Sequence, residues 1–260
     1  MPYIKCKGHN IFYINSGAKT SLPPVVLVHG AWANHVTWVR QIKYLSKYTE
    51  VFCFDLLGHG KSDKPNVEYT IDHYSAILKD FIIKLSIHDP VIVGHSLGGF
   101  ITQLFAIKNP ELFKKVVVLC SGVNITGTQI KIPSIIIPFI KKALFFVNYS
   151  IFCRINDKSS YANQLDYFKG LHLEERMAAS CSSSAIKNMV CHLITFDISD
   201  KLHLIKKPIL FQTGTKDMFY GQRKIYKRLK NARIEVQKDG PHPLHLDAKI
   251  NETLLDFIKQ

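Results

Sequence analysis

The sequence predicts an α/β fold in which a mostly parallel central sheet carries helices on both faces. Short unbroken apolar runs recur along the chain at Val25–Val28, Val51–Phe54, Val91–Val93, Val116–Leu119 and Pro208–Phe211. Runs of this kind lack the alternation of a half-exposed strand and suit strands buried on both faces, the condition of a parallel sheet. Each gives way to a turn rich in Gly, His, Ser, Thr or Asp, and a helix-like segment, Gly99 to Lys108, follows the third. With 260 residues and a hydrophobic fraction of 47%, the chain has enough apolar side chain for one large core.

Taken in order, Met1–Lys7 reads as a first strand and not as a hydrophobic leader. Val25–Val28 runs into His29-Gly30-Ala31-Trp32, and Val51–Phe54 into Asp55-Leu56-Leu57-Gly58-His59-Gly60-Lys61-Ser62. The most informative stretch is Gly94-His95-Ser96-Leu97-Gly98, lying between an apolar run and a helical segment. A G-x-S-x-G string by itself reads equally well as a Gly-rich turn. Placed between strand and helix, it instead describes a sharp turn with Ser96 at the apex, its hydroxyl pushed off the sheet's end. The N–H of Leu97 then opens a helix and faces an oxyanion. The glycines are expected to permit both close packing and strained dihedrals.

The partners that a serine nucleophile needs come later, in the order Ser, Asp, His. Pro208–Phe211 leads through Gln212-Thr213-Gly214-Thr215-Lys216 to Asp217, and Arg233–Gln237 leads through Asp239-Gly240-Pro241 to His242. A base must take the serine proton, and an acid must fix the tautomer of that base and stabilise its charged form. The loop at 29–32 supplies a second oxyanion donor, the N–H of Ala31, and Trp32 beside it either walls an acyl pocket or simply packs. His245 is a rival base and Asp239 a rival acid. His29, His59 and His95 read as loop-fixing residues. The twelve histidines include no metal-ligand spacing, and no Gly-rich dinucleotide loop follows the first strand, so neither metal nor cofactor is expected.

The motifs HGAW at 29–32, DLLGHGKS at 55–62, GHSLGG at 94–99, TGTKD at 213–217 and GPHPLHLD at 240–247 resemble, in order and across nearly the whole chain, those of the α/β-hydrolase superfamily in its serine-nucleophile branch. The resemblance implies Ser96 as nucleophile, Asp217 as acid and His242 as base, with Asp247 a structural cap. It disfavours the dehalogenase and epoxide-hydrolase chemistries, whose members carry aspartate where this chain has Ser96. It departs from the family at Gly240-Pro241-His242-Pro243, where a glycine is common before the histidine. Two prolines stiffen that loop.

Between about Asn124 and Asp200 the strand pattern stops and the chain reads as helices and loops. The expected organisation is therefore a core of 1–123 and 201–260 with a helical lid, 124–200, inserted before the acid-bearing strand. The apolar first half of the lid, from Ile132 to Phe152, is broken by Pro133, Pro138, Lys141 and Lys142, which excludes a transmembrane span. It reads as lid core or as the ceiling over an acyl chain. Six cysteines without paired spacing, together with the lack of a leader, predict a reducing cytoplasm.

The net charge is +14. From Lys114 to Leu165 the only acidic residue is Asp157, against Lys114, Lys115, Lys131, Lys141, Lys142, Arg154 and Lys158. A second cluster, Arg223 to Lys230, is expected around a short helix past Asp217. Genomic base composition accounts for such a balance as readily as function does. As function, it would steer an anionic partner. With no nucleic-acid module visible, an acidic carrier protein bearing an acyl ester fits better. The chain is in this respect similar to the biotin-pathway methyl esterases that act on pimeloyl groups held on acyl carrier protein. A small-molecule ester, a lipid ester, a carbon–carbon bond cleaved by the same triad, and a non-enzymatic ligand receptor remain as alternatives.

Overall fold

The computed structural model describes residues 2–125, 181–242 and 244–260. The basic and apolar stretch read as the first part of the lid, including Lys131, Lys141, Lys142 and Arg154, lies outside the described residues.

Eight strands, β1 (Tyr3–Cys6), β2 (His9–Ser16), β3 (Val25–Val28), β4 (Val51–Phe54), β5 (Val91–His95), β6 (Lys115–Leu119), β7 (Ile209–Gly214) and β8 (Ala232–Gln237), form one sheet. Their order is β1-β2-β4-β3-β5-β6-β7-β8. β1 and β2 pair antiparallel, β2 runs antiparallel to β4, and the rest of the sheet is parallel. The described helices are α1 (Val39–Leu45), α2 (Ile71–Lys84), α3 (Leu97–Lys108), α4 (Ser183–Thr195), α5 (Arg223–Tyr226) and α6 (Lys249–Lys259).

The apolar runs are continuous because both faces of the parallel strands are covered. Val26, Val28, Ile92, Val116, Val118 and Phe211 point into a core shared with Tyr74, Phe81, Phe100 and Phe105 of α2 and α3. Their alternating neighbours Val25, Leu27, Val91, Val93, Val117 and Leu210 face Trp38, Leu45, Leu254 and Phe257, on the side of α1 and α6. Period-two alternation thus becomes a solid apolar run when neither face meets water.

Chain order reverses around β3. From β3 the chain moves to β4 on one side, then crosses to β5 on the other. Where strand order switches, the loops leaving the carboxyl ends diverge and open a crevice. Val28 pairs with Gly94, so the loops after β3 and β5 emerge side by side.

Two details differ from the sequence reading. β2, whose burial alternates only loosely, was not singled out as a strand. α3 begins at Leu97, immediately after Ser96, two residues earlier than the pattern marked. The basic segment 223–230 does hold the expected short helix, Arg223–Tyr226.

The glycines of the GHSLGG motif serve packing. A Cβ on Gly98 would stand 2.2 Å from the Val28 carbonyl oxygen, and one on Gly94 would stand 2.3 Å from the Gly98 oxygen. Backbone cannot move aside as a flexible side chain can. Gly98→Ala should therefore lose about 2–3 kcal/mol. In thermal melts this is a drop in Tm of roughly 5–10 °C; a wild-type melting curve would refute the packing argument.

Candidate active site

Ser96 sits on the turn between β5 and α3 with φ 51° and ψ −116°. The strain expected of the flanking glycines falls on the serine itself, since neither Gly94 nor Gly98 has positive φ. The turn is held from both ends. The Ser96 N–H donates to Leu119 O at 3.0 Å, and the Ser96 carbonyl accepts from Gly99 N–H at 2.9 Å and from the Ser121 hydroxyl at 2.7 Å. Its side chain consequently leaves the sheet end instead of entering the core.

Ser96, Asp217 and His242 meet there although up to 146 residues separate them. His242 Nε2 lies 3.0 Å from Ser96 Oγ, and His242 Nδ1 lies 2.9 Å from Asp217 Oδ1. A buried carboxylate accepts, so the proton of the imidazole belongs on Nδ1, leaving Nε2 bare for the serine hydroxyl to donate to. Asp217 is buried, whereas Ser96 and His242 are partly exposed. Burial opposes the charge of the Asp217 carboxyl. The bonds from His242, from Phe219 N–H at 3.2 Å and from the Thr213 hydroxyl at 2.9 Å outweigh it and hold the group below the usual carboxylate range.

Neither rival enters this chain of bonds. Asp239 is exposed and paired with Lys216 at 3.4 Å. His245 is buried under the loop, against Trp38 and His95, and burial followed by the nearby His242 pushes its pKa down to about 3. Asp247 accepts from Lys249 N–H at 3.0 Å at the start of α6 and from Gln237 at 2.7 Å, as a structural cap would.

The loop after β3, which the sequence marks as a candidate oxyanion loop, lies against the serine. A Cβ on Gly30 would stand 3.2 Å from Ser96 Cβ and 3.0 Å from His95 Nδ1. Ala31 follows at once, and Leu97 N–H belongs to the first turn of α3, whose amides have no acceptor within the helix. Trp32 is half-buried with φ 57°, a conformation rare for a bulky residue. That strain was not visible in the sequence.

The DLLGHGKS segment braces this loop. Asp55 accepts from the backbone N–H and Nδ1 of His35 at 2.7 and 2.8 Å and from Lys61 N–H at 2.8 Å. His29 Nε2 accepts from Leu56 N–H at 2.9 Å while its Nδ1–H donates to Gly30 O at 2.7 Å. One neutral imidazole thereby ties the loop after β3 to the loop after β4. Burial pushes His29 down to about 4, and burial together with His29 pushes His59 to about 3.

A sequence family described as alpha/beta hydrolase fold matches residues 23–136. The structure superposes on an esterase from Exiguobacterium antarcticum with a TM-score of 0.82 over 99% of both chains, at 21% identity. The chain has the α/β-hydrolase fold. Among curated sequences it is 26% identical, over the full length of both, to a putative non-heme chloroperoxidase of Synechocystis. It is 37% identical over 100 residues to an uncharacterized protein of Mycobacterium tuberculosis, a match covering 38% of this chain and 29% of that protein. Among the described residues no group of His, Cys, Asp and Glu could hold a metal ion, and no helix is long and apolar enough to cross a membrane.

The buried histidines set an acid limit on the fold. His29, His59 and His245 resist protonation down to about 4, 3 and 3, and burial holds His95 well below its ordinary range as well. In the unfolded chain each titrates near 6.5. Between those values the unfolded state binds more protons, so stability falls as pH falls. Asp55 and Asp217, both lowered, add loss in the same direction at lower pH still. Unfolding at pH 5 should take up about four protons, measured as the pH slope of the unfolding free energy. A flat profile from pH 7 to 4.5 would contradict the neutral, buried assignment.

Proposed function

We propose that the chain is a serine carboxylic-ester hydrolase working through an acyl-enzyme. The observation that carries this reading is the unbroken chain of bonds from Asp217 through His242 to Ser96, with each proton position dictated by its neighbour. Ser96 Oγ attacks the ester carbonyl as His242 Nε2 takes its proton. The oxyanion formed is held by the N–H groups of Ala31 and Leu97, an interaction typically worth roughly 3–4 kcal/mol per donor. His242 returns the proton to the leaving alcohol as the carbon–oxygen bond breaks. It then takes a proton from water, which attacks the acyl-enzyme, and the acid departs as Ser96 regains its hydrogen. Asp217 keeps the base in its working tautomer and stabilises the imidazolium throughout. Trp32, beside the oxyanion loop, contributes to the wall of the acyl site.

The test uses p-nitrophenyl esters and a fluorophosphonate. Ser96→Ala should lower kcat by about a million-fold with the fold intact, as for a triad that acts as a unit. Asp217→Asn should cost about 10⁴-fold, and His242→Ala should leave only residual turnover. Labelling should fall on Ser96 alone; labelling at Ser121 or a single turnover without sustained release would reject the reading, the latter in favour of a receptor.

A narrower reading concerns the substrate, a carrier-bound acyl ester such as the methyl ester of a pimeloyl group on acyl carrier protein, cleaved in a reducing cytoplasm. It is supported by the basic stretches of the sequence, by Lys224, Lys227, Arg228 and Lys230 exposed on and after α5, and by the free thiols Cys6, Cys53, Cys120, Cys181 and Cys191. The 124–200 insertion would serve as lid. Reversing the charge of Lys131, Lys141, Lys142 and Arg154 should raise KM for the carrier-bound ester and leave a small neutral ester unaffected. The carrier reaction alone should weaken with salt, since exposed charges more than about 10 Å apart are screened at 0.1 M. Equal effects on both substrates, or none, would remove the carrier.

A further inference from the structure

We infer that His95 is a positioning residue for the base, holding the His242 loop in register with the Ser96 turn through the His242 carbonyl; this rests on the reading of Ser96 and His242 as nucleophile and base. His95 is the last residue of β5, so its Cα is one peptide from Ser96. Its Nε2 lies 3.1 Å from the His242 carbonyl oxygen. A carbonyl accepts only, so Nε2 carries the proton, and the neutral ring leaves Nδ1 bare beside Gly30. One imidazole therefore touches the oxyanion loop and the base loop while being covalently joined to the nucleophile. These three segments are far apart in sequence.

The ring has no freedom to wander. It is buried, with its centroid 4.0 Å from His245, 5.1 Å from His242 and 6.4 Å from Trp38, which itself stands 5.3 Å from His245. A donor fixed by packing loses little entropy when it bonds. The base loop needs such a donor. Pro241 and Pro243 have no N–H to donate. The two residues before His242 are tied to other segments through their carbonyls, Gly240 O accepting from Lys216 N–H at 3.0 Å and Pro241 O lying 3.9 Å from Cys120 Sγ. The His242 carbonyl also accepts from Leu244 N–H at 2.9 Å, but that bond lies within the loop. Among the described residues His95 alone connects the His242 backbone to another strand.

The prediction separates this donor from the ring's bulk. His95→Phe keeps a flat buried ring and removes the donor. His95→Gln places an amide N–H at the reach of the imidazole Nε2. Removing the donor should lower kcat for a p-nitrophenyl ester about 10- to 100-fold, as small misplacements of reacting groups do, with KM changed less than about threefold. His95→Gln should recover most of kcat. A second readout needs no substrate: the low-field proton resonance of a histidine Nδ1–H bonded to a carboxylate should be sharp in the wild type and in His95→Gln, and broadened or lost in His95→Phe. Wild-type kcat and an unchanged resonance in His95→Phe would overturn the proposal. So would a His95→Gln variant as impaired as the phenylalanine one, because the donor would then not be what matters. If fluorophosphonate failed to label wild-type Ser96, the esterase reading would fall, while the resonance comparison would still decide whether His95 holds His242.

Discussion

A serine with φ 51° is held where a Cβ crowds the backbone, at a cost of about 1–3 kcal/mol. Such a conformation persists only if its surroundings leave no alternative. Here β5 lies between β3 and β6, hydrogen-bonded on both sides, so the strand cannot shift to relax the turn. The Ser96 N–H is fixed by Leu119, and its carbonyl by Gly99 and Ser121. α3 is then driven so close to β3 that Gly98 lies against the Val28 carbonyl. The strained turn, the missing side chains at Gly94 and Gly98, and the burial of β5 are one constraint seen from three sides.

From that constraint follow the contacts of the neighbouring loops. Pairing of β3 with β5 brings Gly30 to Ser96, and the loop after β4 braces it through Asp55 and His29. Imidazole suits this bracing because, kept neutral by burial, it offers one donor and one acceptor at opposite sides of a rigid ring. His29 uses both at once, linking Leu56 to Gly30. The same neutrality makes the assembly vulnerable to acid, since each ring that is a strut when uncharged is a buried ion when protonated.

Much of this was legible in the sequence because it is local. Strand, turn and helix at 91–108 sit within one short segment, and Asp217 and His242 each follow an apolar run directly. The glycines were read correctly as necessary and incorrectly as the seat of strain, because a motif shows where glycine stands and not which neighbour bears the positive φ. Trp32 escaped for the same reason. His95 was read as a residue that fixes a loop, but which loop was invisible, since its acceptor lies 147 residues away. β2 was missed because its burial follows no clean alternation: Ile11 and Phe12, on opposite faces, are both buried, and each face also carries an exposed residue.

The three members of the triad stand on supports of unequal rigidity. Ser96 follows β5, buried throughout and paired on both sides. Asp217 follows β7, equally buried but second from the edge. His242 follows β8, the edge strand, whose residues are all at least partly exposed. In the proposed mechanism, proton transfer needs the least supported of the three to keep hydrogen-bond distance from the most supported one. Two of the side chains that reach from the buried strands to that edge loop hold His242 itself. Asp217 grips the imidazole at Nδ1, and His95 grips the backbone that carries it. A bond to the ring fixes its rotation, while a bond to the carbonyl fixes where the ring is hung. Both are required if geometry set at the centre of the sheet is to be reproduced at its margin.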